Sequence, residues 1–144
     1  MAEFWPSGFN ITDTASPYEI LNQASEEWAE EGGGLLRLII DQEDTVLSST
    51  FDVHAEHVPS KRTISLFSVT HLRARPYPSE IGISWYGHSE MIAGIVVNQP
   101  SQKLVARTPE RFRELLRAVF NRDDLKSELL RFVVNAGSAV VCDH

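Results

Sequence analysis

At 144 residues the chain has the length of one domain, enough to bury about 70% of the surface its unfolded form exposes. Its 42% hydrophobic and 23% charged residues exclude disorder, and its single cysteine, Cys142, excludes both an intramolecular disulfide framework and an all-cysteine zinc site. The net charge of −7 is unevenly spread: residues 1–57 hold twelve acids and one base (Arg37), residues 58–107 six bases and two acids, and residues 108–144 six of each.

Residues 1–15 form an arm rich in aromatics and turn formers (Phe4, Trp5, Pro6, Gly8, Phe9). Rings of this size bury well, so the arm is expected to pack on the domain or on a partner. It shows no basic stretch leading into an apolar run, and nothing in the chain approaches the ~20 apolar residues that span a bilayer. The expectation is a soluble, cytoplasmic protein with no membrane association.

The first helix is expected over residues 16–31. Ser16 caps it, Pro17 suits its first position, and Glu19 completes a Ser-x-x-Glu capping box. Ile20, Ala24 and Trp28 recur every four residues and form one apolar face, while Glu26, Glu27, Glu30 and Glu31 cover the rest. Gly32-Gly33-Gly34 ends the helix. The acids of its last turn face the negative end of the helix dipole, which is a local conflict.

Residues 35–107 read as antiparallel strands. Leu35–Asp41, Thr45–Val58, Thr63–Leu72, Ile81–Tyr86, Met91–Val97 and Lys103–Ala106 are rich in apolar and β-branched residues. Gln42-Glu43-Asp44 reads as a polar turn, and Arg75-Pro76-Tyr77-Pro78 as a break because proline cannot donate to a ladder. Connections this short join antiparallel neighbours. Two helices follow over residues 108–134: Thr108 caps and Pro109 opens the first, with Phe112, Leu115, Leu116 and Val119 on one face, and Leu125, Leu129, Phe132 and Val133 share a side of the second. Residues 135–144 read as a tail. The expected fold is a single α+β domain: an antiparallel meander of five to six strands, with one N-terminal and two C-terminal helices packed on one face.

Four groups of residues bear chemistry. On an extended strand Asp52, His54 and Glu56 project from one face, a ligand set suited to a divalent metal, although ligands from one strand rarely converge; the alternative is a solvated face with Phe51, Val53 and Ala55 turned inward. His71 ends the next strand, so with His54, Glu56 and His57 it supplies candidate acid–base groups, depending on register. Lys61, Arg62, Arg73 and Arg75 flank one strand and form a candidate anion site. Trp5, Glu27, Glu30, Glu31, Tyr77 and Trp85 are candidate interface residues, since aromatics anchor interfaces and the acidic helix end invites a basic partner. An acidic chain repels phosphate backbones, which disfavours nucleic acid. No phosphate loop or nucleophile elbow is present, and no cofactor is expected.

Three functions fit these residues. The leading one is a non-catalytic protein-binding module of the regulatory, adaptor or immunity type, whose partner is another protein, basic in charge; pairing with a second copy of the chain stays open. The second is a small hydrolase for a phosphate-containing substrate, using the histidines, Glu56 and the arginines. The third is a small-ligand carrier with a pocket lined by Trp28, Trp85 and Phe112.

Overall fold

The computed structural model of the chain describes residues 14–83, 90–92, 95–97 and 102–142. Helix α1 (Pro17–Glu31) starts as its capping box dictates, the Ser16 hydroxyl accepting a hydrogen bond from the Glu19 N–H at 3.2 Å. It ends at Gly32, whose N–H bonds the Trp28 carbonyl at 2.8 Å. A Cβ on Gly32 would lie 2.3 Å from the Leu36 carbonyl oxygen and 2.6 Å from that of Trp28, so the close approach of chain to helix end requires glycine.

Strands β1 (Leu36–Asp44), β2 (Ser48–His57), β3 (Arg62–Leu72), β4 (Arg75–Ile83) and β7 (Lys103–Ala106) form an antiparallel sheet in the order β1-β2-β3-β4-β7. Between β4 and β7 a separate hairpin pairs β5 (Glu90–Ile92) with β6 (Ile95–Val97). Helices α2 (Pro109–Phe120) and α3 (Asp123–Cys142) complete the chain. The expected α+β architecture is therefore present: a five-stranded antiparallel meander with one N-terminal and two C-terminal helices. Among the described residues no helix is long and apolar enough to cross a membrane.

Alternation sorts the sheet into two faces. Leu38, Phe51, Val53, Ala55, Phe67, Val69, Ile81, Ile83, Leu104 and Ala106 point inward and join Ile20 and Leu21 of α1, Phe112, Leu115, Leu116 and Val119 of α2, and Leu125 of α3 in one core. The register jumps between Val53↔Phe67 and His54↔Ser65, leaving Leu66 as an extra residue. A bulge of this kind turns two successive side chains to one side, and both Leu66 and Phe67 are buried. Phe120 packs edge-on against Phe67 at 5.4 Å between ring centroids and holds Trp28 at 5.8 Å, tying α1 to α2 over the sheet.

Four boundaries differ from expectation. The polar run Gln42-Glu43-Asp44, which reads as a turn, belongs to β1; Thr45 makes the turn, its hydroxyl accepting from the Leu47 and Ser48 N–H groups at 3.3 and 3.0 Å. Pro76 and Pro78 do not break the chain but lie within β4, in the stretch between the Leu72↔Arg75 and His71↔Ser79 pairs where β3 asks for no donor. Met91–Val97 is a hairpin and not one strand. Finally, α3 runs through residues 135–142, expected as tail, and its Ala136 is buried.

Candidate functional site

Register fixes where each candidate residue lies. Asp52, His54 and Glu56 share the outer face of β2, as alternation requires, but each looks to a neighbour in the sheet or to solvent. Arg37 Nε donates to Glu56 Oε1 at 2.6 Å, and His54 Nε2 lies 3.6 Å from Asp41 Oδ2 on β1. Among the described residues no three histidine, cysteine or carboxylate side chains gather as a metal site.

The histidines do not meet. His54 is on the outer face, while His57 and His71 lie on the helix-covered side at opposite ends of the sheet. His71 pairs with Ser49, eight residues along β2 from His57, or about 26 Å at 3.3 Å per residue. His57 is buried, its Nδ1 2.8 Å from the Ser60 hydroxyl, and this contact braces the β2–β3 turn in which Lys61 adopts a positive φ of 60°. His71 Nδ1 donates to the Leu72 carbonyl at 2.7 Å, and its ring stacks beside Phe51. Glu56, on the outer face, is turned away from the side that carries His57 and His71.

The arginines also separate. Lys61 and Arg62 stand at one end of the eleven-residue strand β3 and Arg73 and Arg75 at the other, about 30 Å away. Arg73 is committed to the β1–β2 turn, with Nη1 donating to the Thr45 carbonyl at 3.2 Å.

Of the interface residues, Tyr77 is half-buried; its hydroxyl donates to the Ala15 carbonyl at 2.8 Å and its ring meets Phe112 edge-on. Trp5 and Trp85 lie outside the described residues. Phe112 is fully buried, and Trp28 packs on Phe120, so these two do not line a common pocket.

One predicted group stays together. Glu27, Glu30 and Glu31, with Glu26, are exposed at the C-terminal end of α1, and the last turn carries no base. Among the described residues no hydrogen bond or ion pair engages any of these four side chains, although Glu27 lines a second hollow with Arg113 and Arg117 of α2. Beside them Glu27, Trp28, Glu31, Gly32 and Leu36 line a hollow of about 320 Å³. Its floor is the half-buried Trp28 ring and the Leu36 side chain, and Leu35 next to it is 51% exposed.

Chemically this is an apolar seat with a negative rim. An indole face attracts a lysine or arginine cation, unpaired carboxylates accept charge-assisted hydrogen bonds, and the methylene stem of a long basic side chain suits an apolar floor. In the sequence, Trp28 reads as part of the apolar helix face and the glutamates as a separate acidic run; the signal that unites them is that Glu27 and Glu31, four residues apart and so stacked on one side of the helix, border the apolar face at Trp28. Leu36 enters only through the sharp Gly32 turn, which spacing alone does not reveal. No protein-family model, curated protein or solved structure matches the chain.

Proposed function

We propose that the protein is a non-catalytic protein-binding module that receives a basic segment of its partner at the C-terminal end of α1. The observation that carries this reading is the hollow floored by Trp28 and rimmed by Glu27 and Glu31, with Glu26 and Glu30 adjoining and no base in the last turn of α1; Arg113 and Arg117 of α2 line a second hollow that Glu27 shares. Four like charges at the negative end of a helix dipole raise the energy of the free protein, and a cationic ligand relieves it. The separation of His54, His57 and His71 supports binding over the hydrolase reading, which needs acid–base groups within hydrogen-bond reach of one substrate.

The test is titration of lysine- and arginine-rich peptides against the protein and against a variant carrying E26Q, E27Q, E30Q and E31Q. Binding to the wild type that weakens with salt and falls at least tenfold in the variant supports the proposal; about 1.4 kcal/mol separates those affinities. Equal affinity for both proteins, or no binding of any basic peptide, overturns it.

A further inference from the structure

The outer edge of β1 extends the seat at Trp28 into a longer surface. Within the five-stranded sheet β1 is an end strand, paired with β2 alone. Two bonds at the ends of that pairing set its alternation: the Val58 N–H donates to the Leu35 carbonyl at 2.9 Å, and the Thr45 N–H to the Ser48 carbonyl at 2.8 Å. In an antiparallel ladder the bonded positions recur every second residue. Odd-numbered residues of β1 therefore bond to β2, and Leu38, Ile40, Gln42 and Asp44 turn their N–H and C=O groups away from it. Among the described residues nothing bonds to these outward groups. The Gly32 turn lies against the Leu36 carbonyl, so the open stretch begins beyond it.

Side chains along this edge have two characters. On the helix-covered side stand Leu36, Leu38 and Ile40, of which Leu36 lines the hollow beside Trp28. On the outer side stand Arg37, Ile39, Asp41 and Glu43, of which Arg37 is already paired with Glu56. Acids opposed to acids repel across a strand pair, so the edge discourages a second copy of itself and suits a basic strand.

We infer that the partner's basic segment binds in extended form, adding a sixth strand along β1. Its main chain bonds to the outward groups of Leu38, Ile40 and Gln42. Its apolar side chains alternate with basic ones, the apolar set facing Leu38 and Ile40 and the basic set facing Asp41 and Glu43. This rests on the proposed function above and specifies how the partner is held and what sequence pattern it carries.

The probe is a peptide of alternating lysine and valine, nine residues long to match β1. It is compared with the same peptide N-methylated at every second residue, in each of the two phases; one phase removes the main-chain donors that face β1 and keeps the charge. Binding is followed by titration and by amide hydrogen exchange of the full chain. The expected result is at least tenfold slower exchange at Leu38, Ile40 and Gln42, and at least tenfold weaker binding for one methylated phase. The substitution Gln42→Pro is a second check: its lost N–H points away from β2, so folding is retained while binding falls. Binding that ignores methylation in both phases and leaves those amides unprotected, yet falls in the E26Q/E27Q/E30Q/E31Q protein, overturns strand addition and leaves the basic-partner reading standing. Absence of binding by every peptide overturns both.

Discussion

Replacing Glu30 and Glu31 together by lysine separates the cost of the acidic helix end from its use. Each change turns an unfavourable charge in the last turn of α1 into a favourable one, about 0.3–1 kcal/mol by the helix-dipole effect. Each also converts a like-charge pair four residues apart, Glu26 with position 30 and Glu27 with position 31, into an attractive one in the better orientation, a further ~0.4–1 kcal/mol. Both sites are exposed, and screening holds such contributions near the lower ends of these ranges, so the double variant is expected to gain about 1.5 kcal/mol. For a domain of this size that raises Tm by roughly 3–6 °C. The assay is calorimetric unfolding at low and high salt, beside titration with the basic peptides: stability rises at low salt, the gain shrinks at high salt, and peptide affinity falls. An unchanged or lowered Tm at low salt refutes the charge conflict, and a gain that salt does not touch assigns the effect to helix propensity instead.

Three other outcomes follow from single positions. Gly32→Ala sets a Cβ against the Leu36 and Trp28 carbonyl oxygens at 2.3 and 2.6 Å, and overpacking of this kind costs about 1–3 kcal/mol; urea unfolding measures it, and a neutral result removes the argument for glycine there. Ser79→Ala removes a buried hydroxyl that has no hydrogen-bond partner among the described residues, and is expected to raise stability by about 1 kcal/mol in the same assay; a loss of stability would mean that the hydroxyl is satisfied in solution. Asp44 is held below the usual carboxylate range, first by its hydrogen bond with Ser49, then by Gln42 and the positive charges of Arg73 and His71. Its contribution to stability is therefore present above the unfolded value near pH 4 and disappears as pH falls through the lowered folded value. Asp44→Asn is less stable than wild type at neutral pH, and the gap closes on acidification below about pH 4; a gap that stays constant with pH sinks the assignment.

Local rules made much of the fold legible. The capping residues of α1 and α2, the alternation of Phe51, Val53 and Ala55 against Asp52 and His54, and the i, i+3, i+4 face of α2 each need only a few neighbouring residues to be read. The unread parts depend on distant partners. Gln42-Glu43-Asp44 looks like a turn by composition, but it is drawn into β1 by pairing with Ser49, Thr50 and Phe51. Asn135-Ala136-Gly137-Ser138 looks like a helix end, but α3 continues through it with Ala136 buried. Whether His71 meets His54 or His57 hangs on one bulge and one register, and single-sequence patterning carries neither. The acidic surface was readable because it lies on one helix, whereas the hollow beside it needed Leu36 brought in from β1.

The charge conflict in α1 gains meaning from the other helices, which obey the rule it breaks. Helix α2 begins with Glu110 in its first turn and ends with Arg117 in its last, and α3 opens on Asp123 and Asp124. Each of these assists the dipole. A chain with no use for the exception could remove it by one or two surface substitutions that disturb no core contact, since Glu30 and Glu31 are exposed and unpaired among the described residues. Sequences that satisfy their local rules elsewhere tend to break them where function requires it. Here the broken rule coincides with an apolar hollow and with an end strand whose outward face is acidic. One ligand chemistry, a cationic extended segment, answers all three features, and no rearrangement of the described core is needed to admit it.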